Sequence, residues 1–514
     1  MGERSGLWRC GALLLVATGC SGSEETDTDA VSVTSSSDAS GTTQGSGSGP
    51  GTTVGTSGQD TESTGSDPSS DETGTPPTSG VGARLFNVAM DRPDPRWEAL
   101  PDALSTVQLS GTYTLEATVP VGVASVRLTL DGGDSVLDVE APFRWTEDAQ
   151  GNAAAMELAP GEYSLRVEGF SSDEASGAPA YSGDIAFELT TRGTNESPGA
   201  HAVHRIWQTA DGTFVTRDAK GNFIDADGTV VFPAASVSEV EQGGEGQRHV
   251  LIDGSADAIV FAFMVALPDG FDAEVPYPLV VFLHHGWGVY RGTDNDGLPL
   301  DAPLFAGPRS LIAESDEHAR FPAVVLIPQM RGVETVEGIT HEWAAFSSIT
   351  DGTSNSGPEL SNNFVPVLEV IDRLETGELS VDAQRPRVDP HRVYVAGHSM
   401  GGLGSWDVLA RMPDRWAAGV PMAGYADHAR AVELSDTPIW AFHHENDCYN
   451  PASGTQAMLG LVTETHGGTR MRYTLQRFDT GGACDQAHFQ TPNYAWNEEP
   501  GLFEWMFGQV NDRL

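Results

Sequence analysis

The chain has 514 residues, with 73 acidic and 28 basic side chains and a formal net charge of −45. Such a charge argues against a protein that holds nucleic acid or an anionic membrane surface by electrostatic attraction. The length is sufficient for more than one domain with a substantial core.

Residues 1–20 have the layout of a bacterial lipoprotein signal. Arg4 and Arg9 precede a short apolar stretch that is too short to span a bilayer. The tetrapeptide at 17–20 resembles a lipobox, although alanine stands where leucine is usual. We expect lipidation at Cys20, the only membrane attachment, and an extracytoplasmic protein at the cell surface or in the periplasm. An ordinary cleaved signal, which would give a secreted protein, is the alternative.

Residues 21–82 are rich in serine, threonine, glycine and aspartate and contain no lysine or arginine. Such a composition cannot bury enough apolar surface to offset the entropy of ordering the chain. We predict a disordered tether that links the signal to the folded part.

Residues 83–190 alternate apolar and polar side chains between turn signals. Period two is clearest in four short runs, at 107–109, 113–117, 126–130 and 163–167. Strands at this spacing, without a helical segment, predict an antiparallel β-sandwich that resembles immunoglobulin-like modules of secreted bacterial enzymes. A plain spacer is favoured over a carbohydrate-binding module because no cluster of exposed aromatic residues is evident.

Residues 191–250 are polar and rich in turns, with glycines at 212, 221 and 228 in Asp-Gly or Lys-Gly pairs. We interpret this segment as a connector, and its strands could complete the sheet on either side.

A glycine-rich loop follows the apolar strand predicted at 279–283. Its residues include His285, Gly286, Trp287 and Gly288. Backbone N–H groups in such a loop can bind the oxyanion of a tetrahedral intermediate, and Trp287 is the favoured donor, with either neighbouring glycine possible. The alternative is a flexible connector.

The sequence Gly-His-Ser-Met-Gly at 397–401 has the form of a nucleophile elbow, in which a tight strand-to-helix turn exposes the oxygen of Ser399. A β-branched and aromatic run precedes it, and apolar residues at helical spacing follow it. This context favours a serine hydrolase over a loop without chemistry. By its position after the nucleophile, Met400 would supply the second oxyanion donor.

Two further strand-like runs, at 438–442 and 471–478, precede candidates for the acid and the base. Asp447 is the favoured acid and His488 the favoured base, since the order Ser, Asp, His is the order expected for this type of triad. The alternatives are Glu445 as the acid, Asp479 or Asp485 as residues that merely cap turns, and His443 or His444 as packed residues at the strand end.

From about residue 258 to the C terminus, several segments resemble the α/β-hydrolase esterases that group with polyhydroxybutyrate depolymerases, feruloyl esterases and predicted peptidases of the prolyl oligopeptidase clan. The segments that carry the resemblance are 266–271, 277–280, 285–286, 291–295, 307–309, 321–329, 389–402, 438–447 and 498–509. The resemblance implies that residues 251–514 form an α/β-hydrolase domain, with a mostly parallel central sheet flanked by helices.

The implied activity is carboxylic ester hydrolysis through an acyl-enzyme, on polymer- or carbohydrate-linked esters such as feruloyl or acetyl esters or polyhydroxyalkanoates. No cofactor or metal is expected, because the pairs at 284–285 and 443–444 lack the spacing typical of zinc ligands. A serine peptidase of the same clan and a non-catalytic surface-binding lipoprotein are the alternatives.

Two of the four cysteines remain outside the signal and the lipidation site. Cys448 directly follows the predicted acid, and Cys484 lies four residues before the predicted base. In an oxidising compartment we expect a disulfide between them that ties the two loops together.

Overall fold

The computed structural model describes residues 80–109, 111–131, 133–148, 151–192, 202–241, 248–255, 257–268, 270–286, 307–308, 311, 320–330, 334–337, 339–350 and 353–514. The predicted signal with Cys20, most of the predicted tether, and Trp287 with Gly288 lie outside the described residues.

Eight strands between residues 82 and 190 form a β-sandwich. In chain order they are β1 (Gly82–Asn87), β2 (Arg92–Pro93), β3 (Ala103–Ser105), β4 (Tyr113–Thr118), β5 (Ser125–Leu130), β6 (Asp134–Asp138), β7 (Gly161–Phe170) and β8 (Tyr181–Thr190). One sheet has the order β2-β1-β4 and the other β3-β8-β7-β5-β6. Apolar side chains from both sheets meet in one buried cluster, which includes Leu85, Leu115, Leu128 and Val167.

The sandwich differs from the sequence expectation in two respects. Residues 107–109 form a turn instead of a strand, because the fully buried Val107 packs in the core of the neighbouring sheet and its carbonyl oxygen accepts a hydrogen bond from Arg392 at 2.7 Å. In addition, β3 pairs with β8 in parallel, so the sandwich is not entirely antiparallel.

The remaining strands build one large mixed sheet and two small ones. Up to residue 329 they are β9 (Ala202–Thr209), β10 (Phe214–Arg217), β11 (Phe223–Ile224), β12 (Val230–Phe232), β13 (Val237–Glu241), β14 (Arg248–Ile252), β15 (Ile259–Leu267), β16 (Tyr277–Leu283) and β17 (Val324–Gln329). Beyond it they are β18 (Glu334–Val336), β19 (Ile339–His341), β20 (Ala345–Thr350), β21 (Thr353–Ser356), β22 (Val388–His398), β23 (Ala418–Met422), β24 (Ile439–His444) and β25 (Met471–Gln476). The large sheet has the order β12-β11-β10-β9-β15-β17-β16-β22-β23-β24-β25, and it is parallel from β17 to β25.

Helices cover both faces of this sheet and make the fold α/β. The described helices are α1 (Val365–Thr376), α2 (Met400–Arg411), α3 (Ala452–Gly460), α4 (Cys484–Asn497) and α5 (Leu502–Gly508), with short 3₁₀ turns at Ala234–Ser236, Pro413–Arg415 and His428–Leu434 and a π turn at Leu461–Thr465. Apolar residues of α1 and α2 pack on one face of the sheet, and those of α5 pack on the other. Burial on both faces explains why all seven residues of β16 are buried.

The segment predicted as a connector belongs to the central sheet. Strands β9 to β12 extend the sheet beyond β15, and β9 pairs with β15 along most of its length. The polar turns that suggested a connector are hairpin turns, at which Asp218 and Asp225 accept hydrogen bonds from backbone N–H groups of the following residues.

Buried contacts join the sandwich to the α/β part of the chain. Arg96 binds Asp94 within the sandwich and Asp389 at the start of β22, at 2.7 and 3.1 Å. Asn87 donates a hydrogen bond to the carbonyl oxygen of Gly508 at 2.8 Å. Because Arg96 and Asp94 are almost completely buried, separating the two parts would expose a charged pair together with apolar surface.

The carboxyl ends of the parallel strands meet at one edge of the sheet. In register, Leu283 lies beside Gly397, His398 beside Met422, and His444 beside Gln476. Loops that follow β16, β22 and β24 therefore begin close together, although they are distant in sequence.

Candidate active site

Ser399 lies in a strained turn between β22 and α2. Its backbone has φ 58° and ψ −117°, a conformation that non-glycine residues rarely adopt. The turn is held because the Ser399 N–H donates to the carbonyl oxygen of Met422 and the Ser399 carbonyl oxygen accepts from Leu403, at 3.0 and 2.9 Å. A strained serine between a parallel strand and a helix is the geometry that the elbow motif predicts.

The flanking glycines are required by close backbone approach. A Cβ atom on Gly397 would overlap the carbonyl oxygen of Gly401, and a Cβ atom on Gly401 would overlap that of Leu283. The obstructing atoms belong to the backbone and cannot move aside as a side chain could, so both positions need glycine.

Asp447 and His488 form a hydrogen-bonded pair. His488 Nδ1 donates to Asp447 Oδ2 at 2.7 Å, and both side chains are almost fully buried. Asp447 Oδ1 accepts the backbone N–H groups of Tyr449 and Asn450 at 2.8 and 2.9 Å. Burial alone would raise the pKa of Asp447, but hydrogen bonds from His443 and His488, the charge of His488 and the Asn450 N–H outweigh it and hold the pKa well below its usual range. Asp447 is therefore an ionised carboxylate that directs Nδ1–H of His488 and leaves Nε2 available as a base.

The rival acids occupy other roles. Glu445 is exposed and pairs with Arg477 at 3.0 Å. Asp479 accepts the N–H of Gly481, and Asp485 that of Gln486, as turn-capping residues do. In the part of the chain that the structure describes, none of these three carboxylates forms a hydrogen bond or an ion pair with His488.

His488 lies in a helix, whereas the sequence suggested a loop directly after a strand. It is the fifth residue of α4, and β25 ends twelve positions earlier, at Gln476. Pro492, four residues further on, would ordinarily argue against a helix here. It nevertheless lies in the interior of α4, so a proline at this position does not exclude the helix.

A second histidine joins the elbow to the base. Nε2 of His398 donates to the carbonyl oxygen of His488 at 3.0 Å, and the two rings lie with their centroids 4.8 Å apart. His398 directly precedes Ser399 in the chain, so this contact brings the strained turn and α4 to the same place. The sequence did not reveal this role, since a histidine at the variable position of the motif gives no separate signal.

The start of the glycine-rich loop is tied to the core through His284. Its Nδ1 donates to the carbonyl oxygen of His285 at 2.7 Å, its Nε2 accepts from Met330 N–H at 3.0 Å, and its own carbonyl oxygen accepts from the indole of Trp343 at 3.0 Å. Gly286 is exposed, and the favoured donor Trp287 falls outside the described residues. Met400, the other predicted donor, is the first residue of α2, where a helix leaves its N–H without an intrahelical partner.

Buried neutral histidines should make the fold sensitive to acid. Burial lowers the pKa of His284 to about 3 and that of His285 to about 4, and burial also holds the pKa of His398 well below its usual value. Between pH 6 and pH 4, the unfolded chain binds a proton at His284 that the folded chain does not, and the same holds for His285 down to about pH 5. We expect each to reduce the free energy of unfolding by about 1.4 kcal/mol per pH unit as the pH falls through this window.

Urea denaturation at pH 7, 6, 5 and 4 measures this slope. The variant His284→Gln can still accept from Met330 and should lose about 1.4 kcal/mol per pH unit of the slope. An unchanged slope in this variant would contradict the assignment of a neutral His284.

The structure contains the disulfide predicted from the cysteine positions. Cys448 and Cys484 are bonded, with their Cα atoms 5.4 Å apart. The bond joins the residue after Asp447 to the first residue of α4, one turn before His488. It therefore closes a covalent link around the acid–base pair, and both cysteines are exposed to solvent.

No group of three or more His, Cys, Asp or Glu side chains suited to a metal ion occurs among the described residues. Within the same residues, no helix is long and apolar enough to cross a membrane.

No protein-family model matches the chain, and no curated protein matches it. Among solved structures, a thermostable esterase is 19% identical, with 84% of this chain and 91% of that chain covered and a TM-score of 0.36. A ferulic acid esterase is 14% identical over 50% of this chain and 96% of that one, with a TM-score of 0.29. A feruloyl esterase module from Clostridium thermocellum, complexed with sinapinate, is 13% identical over 53% and 88%, with a TM-score of 0.29. At TM-scores below 0.5 these likenesses decide neither fold nor function, which have to be judged from the chain's own residues.

Proposed function

We propose that this protein is a serine carboxylic ester hydrolase of the α/β-hydrolase fold that acts through an acyl-enzyme. The observation that carries the proposal is the buried Asp447–His488 pair, which His398 joins to the strained turn of Ser399. A nucleophile, a base and an orienting carboxylate at the carboxyl edge of a parallel sheet are the parts that acyl transfer requires.

In this mechanism Nε2 of His488 takes the proton from Ser399 as the serine oxygen attacks the ester carbonyl. Asp447 stabilises the imidazolium that forms and keeps the ring in the required tautomer. The N–H of Met400, together with a donor from the glycine-rich loop such as Trp287, would bind the oxyanion. The imidazolium then gives its proton to the departing alcohol, and a water activated by His488 releases the acid and frees Ser399.

The disulfide supports an extracytoplasmic location, because such bonds persist in oxidising compartments. We propose that the protein is secreted or anchored through a lipid at Cys20, and that the sandwich holds the catalytic part without binding substrate itself. The buried salt bridge between Arg96 of the sandwich and Asp389 favours a sandwich fixed to the catalytic part over one that moves independently of it.

The test is a substrate panel with the full chain and its Ser399→Ala variant. Aryl esters, acetylated and feruloylated sugars and short hydroxyalkanoate oligomers are compared with peptide amides. We expect hydrolysis of esters well above the Ser399→Ala background, together with covalent labelling of Ser399 by a fluorophosphonate, located by peptide mass. Amide hydrolysis exceeding ester hydrolysis would favour a peptidase, and equal rates for wild type and Ser399→Ala would rule out serine catalysis.

A further inference from the structure

Two imidazole rings lie against the carboxylate of Asp447. His488 approaches Oδ2 from α4, and Nε2 of His443, the fifth residue of β24, lies 3.3 Å from the same oxygen. The side chains of His443 and Asp447 are fully buried. Oδ1 accepts two backbone N–H groups, so each carboxylate oxygen faces two N–H groups.

Each ring nitrogen of His443 faces an oxygen atom. Nε2 lies 2.9 Å from the carbonyl oxygen of Asn450, which can only accept. Nδ1 lies 3.0 Å from Oγ1 of Thr455, which in turn lies 2.8 Å from the carbonyl oxygen of Gly424. That carbonyl oxygen can only accept, and with the hydroxyl hydrogen directed to it, Nδ1 has to donate to Oγ1. A ring that donates from both nitrogens carries both protons and a positive charge.

We propose that His443 is a positioning residue of the active site, a buried imidazolium that fixes the orientation and the charge of the catalytic carboxylate Asp447. The proposal rests on the proposed function, since it takes Asp447 as the acid that serves His488. It explains why a carboxylate with no exposed surface stays ionised without an arginine or lysine among its recorded partners.

His444 provides a matched control from the next position of the same strand. It is also buried, but its Nε2 donates to the carbonyl oxygen of Phe478 at 3.0 Å and its Nδ1 accepts from Asn446 N–H at 3.1 Å. Because one ring nitrogen donates and the other accepts, His444 carries one ring proton. His444 meets Asp447 through the backbone, where the N–H of Asp447 donates to the carbonyl oxygen of His444 at 3.2 Å. Its ring points away from that of His443, because consecutive side chains of a strand point to opposite faces.

The charge of His443 should influence the pH dependence of catalysis. A second cation beside Oδ2 of Asp447 competes with the imidazolium of His488 for the same carboxylate and so opposes protonation of the base. Among the described residues, the other titratable groups that face this network are His398 from the elbow, His285 from the segment after β16 and Tyr449 from the loop after β24. They are unchanged in a variant at position 443.

The first experiment compares the full-length wild type, His443→Gln and His444→Gln. Glutamine keeps a donor and an acceptor but cannot carry the charge. We expect the acid limb of the kcat/KM profile to move to higher pH by about 0.5–1 unit in His443→Gln, which lowers kcat/KM about 3–10-fold below the limb. His444→Gln should keep the limb of the wild type. A structural role alone would lower the urea midpoint without moving the limb, and that result would overturn the proposal.

The second experiment does not require activity. In wild-type protein labelled with ¹⁵N-histidine, at pH 7, both ring nitrogens of His443 should show attached protons, whereas His444 should show one. Loss of the signals in His443→Gln assigns them, and Thr455→Val assigns them by their shift if the glutamine variant does not fold. A single ring proton on His443 would overturn the proposal even if ester hydrolysis is found. Two ring protons on His443 without any ester hydrolysis would support the imidazolium and refute the proposed function instead.

Discussion

Asp447→Asn is expected to lower kcat by about four orders of magnitude, because the amide cannot hold His488 in the tautomer that catalysis needs. One carboxylate oxygen of Asp447 accepts two backbone N–H groups and the other faces imidazole N–H groups, so the partners of this carboxylate are donors. An asparagine has only one oxygen and turns its NH₂ group toward one of these two sets of donors. Either His488 loses its acceptor, or the loop at Tyr449 and Asn450 does.

Glu445→Gln is the matched control for this prediction, since Glu445 is the other acid that the sequence allowed. It is exposed and its partner is Arg477 on the surface, so the substitution should change kcat by less than about twofold. The measurement is kcat and KM for one aryl ester with wild type and both variants at a single pH. A large loss in Glu445→Gln, or a small one in Asp447→Asn, would assign the acid to Glu445.

Removal of the disulfide is expected to cost about 3–4 kcal/mol of stability. The bond closes a loop with a sequence separation of 36 residues, and the chain-entropy model gives about this value for a loop of that length. Asp447 directly precedes this loop, and the helix of His488 begins at its other end, so a looser loop should also lower kcat.

The double variant Cys448→Ser, Cys484→Ser and the wild type, each with and without dithiothreitol, form the test. Urea denaturation should show the wild type losing about 3–4 kcal/mol on reduction, while the double variant is equally unstable in both conditions. Because both cysteines are exposed, the reductant can reach the bond in the folded protein. Identical urea midpoints for oxidised and reduced wild type would show that the crosslink adds nothing to stability.

Much of the candidate site could be predicted because its signals are local. The motif around Ser399 is contiguous, and the two glycines that it needs are explained by backbone contacts at the turn itself. The apolar runs before Ser399 and Asp447 are long enough to predict buried strands, which place both residues at one edge of a sheet. The pairing of Cys448 with Cys484 followed from there being only two cysteines beyond the signal and the lipidation site.

Other features could not be predicted, since they depend on contacts between residues far apart in the chain. The choice of Asp447 over Glu445 depends on which carboxylate contacts His488, which lies 41 positions after Asp447. The two candidates are only two positions apart, so the sequence does not show which of them makes this contact. The strands at 202–232 have the polar turns of a connector, and only their pairing with β15 makes them part of the sheet.

The sequence by itself determined Ser399 as the candidate nucleophile, the order of the candidate triad, the cysteine pair and the sequence of β and α/β regions, because these depend on neighbouring residues and periodicity. Only the tertiary structure decided which candidate carboxylate meets His488, the helical position of His488, the contacts of His398 and His284 at the site, and the second imidazole beside Asp447. Burial and hydrogen-bond saturation are properties of a folded environment. No local pattern distinguishes His443 from His444, yet one binds the carboxylate and the other a backbone carbonyl on the opposite face.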